Sequence, residues 1–389
     1  MGKKRTTGSP IEELRKEVNR IDGALITLLS ERRKISLKII KEKTKSNKPV
    51  REKEREAEII ERIKALALKK KIDPQTAEHI FNEIIEDSVK IQQNYTFSGQ
   101  TSKKNTPKGV ISLALQGIEG SYSHLAGEKY FYNNNLSPVL ESRTRFEDVF
   151  ASVETGEADY AILPIENTTS GGINEVYDLL LNTHLIIRGE VIQKVNHCLA
   201  ATAKTPLNRI KKIYAHYQAA AQCSRFIDTL EGCTVEFFPD TAMSFRKLKE
   251  EGNKFYAAIA GEGAADIYGL KILKKGIANQ TKNYTRFLIL SGGAPDENCL
   301  PPFKSSLIFT TEHKPGALNK VLAIFSKQGI NITKLESRPA AGNPWHEMFY
   351  LDFVSEFNVP ALKKIMKQVE RNTKFFKILG FYKEASKEL

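Results

Sequence analysis

Residues 28–43 read LLSERRKISLKIIKEK, and the period of this stretch decides how the first quarter of the chain folds. Apolar residues at Leu14, Val18, Ile21, Leu25 and Leu28 recur at alternating spacings of four and three, one face of a long helix. The same spacing then lands on Arg32, Ile35 and Ile39, and one turn later on Lys43. A guanidinium and an ammonium are thus predicted in a buried aliphatic seam. Snorkelling of a long side chain explains one such residue. It explains a set less well. A later helix carries Phe81, Ile84, Ser88 and Gln92 along one stripe, and the helix between them brings Glu52, Arg55 and Glu56 at its first turn. Cations with amide and hydroxyl donors inside a bundle need an occupant that offsets their desolvation, and a small dianion suits. Nucleic acid does not, because phosphate backbones need charges on an exposed face.

Working outward, helical periodicity predicts helices over about 10–45, 50–69 and 73–93, broken near Pro49 and Pro74, with no strand signal. A polar linker follows over 94–109. From Val110 the texture changes to short apolar runs (VISLAL, YAILPI, LIIRGEVIQKV, KKIYAH, TVEFF, YAAIAG, TRFLIL) alternating with helical patterns. That reads as α/β with a largely parallel sheet in two lobes. After the Pro-rich APDENCLPPFK, residues 305–389 read strand, helix, strand, strand, helix, strand, the order of an α+β ferredoxin-like sandwich. The expected domains are 8–96, 109–292 and 303–389, and 389 residues suit two or three cores.

A net charge of +13 and a pI near 9.3 fit nucleic acid, an anionic surface or small acidic substrates, so the placement of the charges has to decide. The four cysteines form no CxxC pair and the seven histidines are scattered, so neither a disulfide framework nor a metal site is expected. No apolar run has the length of a membrane span and no signal peptide opens the chain, which predicts a cytoplasmic protein with no membrane partner. MGKKRT matches a myristoylation pattern only formally.

The segment from Leu14 to Gln93, with SERRKIS, KEK, PVRE, ERE and IIEDSVKIQQ in order, resembles the helical chorismate mutase domain of the bifunctional chorismate mutase–prephenate dehydratases. The resemblance implies a site at Arg15, Arg32, Lys43, Glu52, Arg55, Glu56, Ser88 and Gln92, and an intertwined dimer in which Arg15 reaches the partner's pocket. Glu52 departs from the family's usual Asp. The pericyclic rearrangement of chorismate needs no nucleophile and no general base, only a clamp on the reactive conformer and donors to the ether oxygen. Lys43 and Gln92 are the expected donors, Arg15 and Arg32 the carboxylate clamps, and Glu56 and Glu52 the hydroxyl acceptors.

In the middle segment, LALQGIEGSYSHLA (113–126) and ILPIENTTSGGINEVYDLL (162–180) place Gly and hydroxyl residues before helices, where anion sites and ordinary N-caps look alike. Thr285 opens an apolar strand in NYTRFLIL, where a threonine is usually just β-branched. Residues 109–291 are similar to prephenate dehydratase domains through GSYSHLA, VETGEADYAILPIENTTSGGINEVYDLL, HCLA, QCSRF and above all NYTRF. The resemblance implies a two-lobed fold like that of periplasmic binding proteins, with Asn167, Thr168, Thr169, Ser170, Gln222, Thr285, Arg286 and Phe287 in the cleft. Thr285 is then the expected proton donor and Arg286 the partner of a substrate carboxylate. Tyr217 and Pro239 depart from the family pattern.

The last segment resembles ACT regulatory domains through PGALNKVL (315–322) and LESRPAAGNPWHEMFY (335–350). L-phenylalanine is the implied effector, held between copies by Gly316, Ala317, Leu318, Glu336, Ser337, Arg338 and Pro339, with Asn319 replacing the usual Val. The expectation is therefore a bifunctional enzyme of phenylalanine biosynthesis, inhibited by L-phenylalanine. Its substrates are chorismate and prephenate, it uses no cofactor, no metal and no nucleic acid, and it forms a homodimer or higher homo-oligomer. Two alternatives are a dehydratase that prefers arogenate and a non-catalytic amino-acid sensor with a nucleic-acid-binding head. The head shows no helix-turn-helix pattern, which weighs against the sensor.

Overall fold

The computed structural model describes residues 10–45, 52–99, 109–339 and 347–385. The chain divides into two compact units, one within 1–103 and one within 104–389. Pro49 and Val50, the expected break and start of the second helix, lie outside the described residues.

The first unit holds α1 (Pro10–Lys45), α2 (Lys53–Lys69) and α3 (Pro74–Gly99). At 1.5 Å per residue the 36-residue α1 is about 54 Å long. The third helix packs on both others, and among the described residues the buried hydrophobics are Ile40, Ala67, Ala77, Ile85 and Val89. Here the sequence reading needs a correction. The stripe expected in a buried seam is open to solvent in the single chain, with Leu14 63%, Leu25 53% and Leu28 60% exposed. The periodicity reports only that this face needs cover, and α3 meets α1 around Arg32 and Arg33, through Ile84, Ser88 and Asp87. Among the described residues no helix is long and apolar enough to cross a membrane.

In the second unit, β1 (Val110–Gln116), α4 (Tyr122–Asn133), β2 (Ser137–Arg143), α5 (Phe146–Glu154), β3 (Tyr160–Asn167), β4 (Gly171–Gly172), α6 (Asn174–Asn182) and β5 (Ile186–Lys194) build one lobe. A second lobe follows: β6 (His197–Ala201), β7 (Lys212–His216), α7 (Tyr217–Gln222), α8 (Ser224–Ile227), β8 (Thr234–Phe238), α9 (Thr241–Glu251), β9 (Tyr256–Gly261), α10 (Glu262–Tyr268) and β10 (Lys271–Lys275). The chain then returns through β11 (Tyr284–Ser291), which inserts between β3 and β5 to give the order β2-β1-β3-β11-β5; the second sheet runs β10-β6-β9-β7-β8. Both sheets are mixed rather than largely parallel. The pairs β1/β2, β1/β3, β7/β8 and β7/β9 are parallel, while β11 is antiparallel to β3 and β5, and β6 to β9 and β10. An unbroken apolar run signals burial on both faces and carries no information on direction.

The C-terminal segment adds β12 (Phe303–Thr310), α11 (Ala317–Lys327), β13 (Asn331–Pro339), β14 (Glu347–Ser355), α12 (Val359–Glu370) and β15 (Phe375–Tyr382). Its antiparallel sheet, β13-β14-β12-β15, is ferredoxin-like as expected. This sheet shares a core with the first lobe: Ile308, Met348, Tyr350, Leu379 and Tyr382 belong to one buried cluster with Leu163, Ile165, Ile187, Leu288 and Leu290. At the same seam, Lys377 Nζ donates to the carbonyls of Leu180 (2.8 Å) and Leu181 (3.2 Å) at the end of α6.

Gly380 on β15 packs directly against β5, since a Cβ there would meet the carbonyl oxygen of Ile187 well inside van der Waals contact. Backbone cannot yield as a side-chain tip can. Gly380→Ala is therefore expected to destabilise the second unit by about 1–3 kcal/mol, the usual range for overpacking. A lowered thermal midpoint with an unchanged helical unit would show it.

Candidate active sites

A cavity of about 320 Å³ in the helical unit is lined by Arg32, Ser36, Lys43, Glu52, Arg55, Glu56, Ser88 and Gln92, with Ile35, Ile39, Ile59, Ile85 and Val89 as its apolar wall. Seven of the eight residues named from sequence thus come together. Arg32 Nη1 donates to the Ile84 carbonyl at 2.9 Å and also contacts the Ser88 hydroxyl. Burial pushes the Arg32 pKa below its ordinary value, with Asp87 acting against that shift, yet a guanidinium stays charged. Lys43 pairs with Glu52 at 2.7 Å and Arg55 with Glu58 at 2.7 Å. Arg15 is exposed and does not line the cavity of its own chain.

The second cavity, about 530 Å³, lies in the cleft between the two lobes. Asn167, Ser170, Gln222, Thr285 and Phe287 line it, and Thr169 lines a recess beside it with Ser170 and Gln222. Thr168 lines neither cavity; its hydroxyl accepts from Tyr284 N at 2.9 Å and so pins the loop to β11. Two local devices set the wall. A register shift between Arg286 and Phe287 opposes Arg286 to Glu166 and Phe287 to Pro164, so that β3 carries one extra residue. Such a bulge re-aims the side chains after it, here Glu166 toward Arg286 and Asn167 toward the cleft. The Asn167 Oδ1 then accepts from the Thr169 and Ser170 amides, both at 2.9 Å, and its Nδ2 donates to Thr285 Oγ1 at 2.9 Å. Gly117, at φ +105° just after β1, faces Asp240 of the second lobe, whose Oδ2 would occupy the space of any Cβ.

Arg286 sits elsewhere. Strand alternation turns Thr285 and Phe287 into the cleft and Arg286 to the other side, against the C-terminal sheet. There its guanidinium pairs with Glu190 (2.7 Å), Glu166 (3.0 Å) and Asp352 (2.6 Å), and Nη2 donates to Tyr382 Oη at 3.3 Å. Lys304 adds a second cation to Glu190 at 3.1 Å, and Lys334 pairs with Glu166 at 2.8 Å. Burial works against the Arg286 charge, but Asp352 and the neighbouring groups override it and hold the pKa well above the ordinary value. The expectation that Arg286 grips a substrate carboxylate is at odds with this placement, because its donors already serve protein groups.

A third cavity, about 490 Å³, is lined by Gly316, Ala317, Leu318 and Asn319 with Glu347 and Phe349. Gly316 takes φ +76° as the N-cap of α11; the Ala317 amide donates to the Lys314 carbonyl at 3.2 Å, and the amides that follow in the first turn have no acceptor within the helix. Glu336, Ser337, Arg338 and Pro339 lie on β13 and do not line it; Arg338 pairs with Asp178 at 2.9 Å. Residues 340–346 of the expected motif lie outside the described residues.

The sequence reading missed three residues that support the cleft, namely Tyr122, His197 and Asn283. His197 and Asn283 are 2% and 1% exposed, and each is hydrogen-bonded to Gln222, at 3.0 and 2.9 Å. Their only sequence signal was a polar residue opening each of the short motifs HCLA and NYTRF.

Residues 14–93 match the family of type II chorismate mutases, 113–294 that of prephenate dehydratases, and 305–371 the ACT domain. The bifunctional chorismate mutase/prephenate dehydratase of Escherichia coli K12 is 37% identical over 377 residues, covering 97% of each chain. Among solved structures, GqqA, described as a novel type of quorum quenching acylase, superposes with TM-score 0.62 at 31% identity, over 71% of this chain and 98% of its own. The prephenate dehydratase of Arthrobacter aurescens, in complex with L-Phe, gives 0.62 at 26% identity over 70% and 90%.

The buried cluster has a pH signature. Burial raises the Glu190 pKa, but Arg286 and Lys304 outweigh it and leave it below the ordinary value. A depressed folded-state pKa contributes stability above the unfolded value, and that stability is lost as pH falls through the folded value. Unfolding stability of the second unit is expected to hold from pH ~7 to ~5 and decline below about 4.3, the free glutamate value. Glu190→Gln should start from a lower stability and show a shallower acid decline in denaturant titrations across this range.

Proposed function

The chain belongs to the bifunctional chorismate mutase/prephenate dehydratase family, and on that premise we propose which residues carry each reaction. The helical cavity rearranges chorismate to prephenate. Arg32, and Arg15 from a second copy, hold the two carboxylates, Glu52 and Glu56 accept from the ring hydroxyl, and Lys43 and Gln92 donate to the ether oxygen as charge develops there. The observation that carries this reading is the convergence of Arg32, Lys43, Ser88 and Gln92, drawn from two helices, on one cavity. The second copy enters because the stripe Leu14, Val18, Ile21, Leu25 and Leu28 is uncovered and the buried core of the unit is thin. A homodimer that pairs this stripe would bring Arg15 to the partner's cavity.

The cleft converts prephenate to phenylpyruvate. The ring C–O bond breaks with its electron pair on oxygen, which takes the Thr285 proton and leaves as water. The ring carboxylate departs as CO₂, and the pair of its C–C bond completes the aromatic ring. Thr285 recovers its proton from solvent in the cleft. A free hydroxyl is a weak acid, so its placement beside the Asn167 amide matters more than its intrinsic pKa. Prephenate is favoured over arogenate as the substrate by the family alone. An acylase reading of the cleft would require a free base beside a hydroxyl or thiol. Both His197 nitrogens are engaged, by Tyr122 and Gln222, and His216 Nδ1 accepts from Gln218 N.

L-phenylalanine is the proposed effector of the third cavity, its carboxylate taken by the amides that open α11. Glu336, Ser337, Arg338 and Pro339 would contribute only at an interface between copies. The four cysteines are free, which fits work in the cytoplasm.

The test follows chorismate to phenylpyruvate with the purified full chain. Gln92→Ala should lower mutase kcat about 10²-fold, as for loss of one preorganised donor, with dehydratase turnover of supplied prephenate intact. Thr285→Ala should abolish the dehydratase and spare the mutase. Equal loss of both activities in either variant would overturn the assignment. Saturating L-phenylalanine should suppress wild-type phenylpyruvate formation, and an unchanged rate would remove the effector reading alone.

A further inference from the structure

We propose that His197, acting with Tyr122 and Asn283, is a positioning residue of the dehydratase cleft: it locks the amide of Gln222 at the far end of a one-way hydrogen-bond chain that begins at Asn167, the donor to Thr285 Oγ1, and so holds the polar wall around Thr285 in one arrangement. The proposal rests on the reading of the cleft given above.

The direction of each bond follows from fixed ends. Backbone amides of Thr169 and Ser170 both donate to Asn167 Oδ1, at 2.9 Å, so the Asn167 amide cannot be turned around. Its Nδ2 is then the donor group, with its two hydrogens shared among Asn283 Oδ1 (2.7 Å), Thr285 Oγ1 (2.9 Å) and the Tyr284 carbonyl (3.1 Å). With Asn283 Oδ1 accepting, Asn283 Nδ2 donates to Gln222 Oε1 at 2.9 Å. Gln222 Oε1 also lies 3.0 Å from His197 Nε2, and an amide oxygen only accepts. His197 therefore carries its proton on Nε2. Neutral imidazole leaves Nδ1 to accept from Tyr122 Oη at 3.2 Å. Burial lowers the His197 pKa against the smaller opposing effect of Gln222, which keeps that tautomer neutral.

Every member agrees with its neighbours on who donates. Rotating the Gln222 amide would set its NH₂ against the donors of both His197 and Asn283, so the imidazole locks Gln222 and leaves Gln222 Nε2 to Ser170 Oγ at 3.2 Å. Gln222 and Ser170 line the cleft themselves, which ties the buried imidazole to the substrate wall as well as to Thr285. A hydroxyl that accepts from Asn167 cannot turn its own hydrogen toward that donor.

The test compares three replacements in the full chain. Glutamine places an amide nitrogen near the position of Nε2 and can still donate to Gln222. Asparagine reaches only the position of Nδ1, and leucine donates nothing. His197→Leu and His197→Asn are expected to lower dehydratase kcat by about 10–100-fold, the usual range for supporting residues, with KM within about twofold and mutase turnover unchanged. His197→Gln should recover most of kcat. Asn283→Asp, equal in volume but without the donor to Gln222, should fall with the leucine variant, and it decides the matter if the leucine chain melts early. Equal kcat for the Gln and Asn variants, or wild-type kcat in all of them, overturns the chain while Thr285→Ala still abolishes turnover. If Thr285→Ala itself retains dehydratase activity, the underlying reading fails first, and the positioning role goes with it.

Discussion

Arg286 is the constraint on which the second unit depends. A guanidinium with little exposure survives burial only when carboxylates and hydroxyls surround it, and here they come from both sides of a seam: Glu166 and Glu190 from the lobe, Asp352 and Tyr382 from the C-terminal sheet. Removing one partner of such a group typically costs about 3–5 kcal/mol, because a buried charge is left uncompensated. The adjacent residue on the same strand is Thr285. Pleating sends neighbours to opposite faces, so β11 presents the Thr285 hydroxyl to the cleft by the same backbone that carries the anchor into the seam. Holding Arg286 in place holds Thr285 in place.

In the helical unit an uncovered surface plays the comparable part. Cations gather in a cavity between α1, α2 and α3, while the aliphatic face at the start of α1 stays open. The cavity is lined from within one chain, and Arg15 lies on the uncovered portion of α1. The same helix thus supplies a finished wall at one end and unfinished apolar surface at the other.

How much of this was legible in the sequence depended on range. Helical period placed Arg32, Lys43, Ser88 and Gln92 on inward stripes, because a repeat of 3.6 residues is a local property. The exposure of Leu14 and Leu28 was not legible, since periodicity tells which face is apolar and not what covers it. The C-terminal sandwich followed from the order of its elements. Strand direction in the lobes did not, as doubly buried strands look alike whichever way they run. Thr285 and Asn167 were reached through motifs. Arg286 was assigned to the wrong side because its motif was read as a block, although the alternation of NYTRF already sets Thr285 and Arg286 on opposite faces. Its partner Asp352 is far along the chain, and no local pattern links the two. His197 gave too faint a signal, one imidazole at the head of a short strand.

The seam also bears on where this polypeptide can be divided. Ile308, Met348, Tyr350, Leu379 and Tyr382 share their burial with Leu163, Ile187, Leu288 and Leu290 of the lobe. A fragment ending before Phe303 would keep every wall of the cleft. It would also turn a broad greasy face toward water and take Asp352 from Arg286, Lys334 from Glu166 and Lys304 from Glu190. The cost of such a cut falls on solubility and keeping quality, so the Pro-rich connector is a covalent joint between segments that behave as one body.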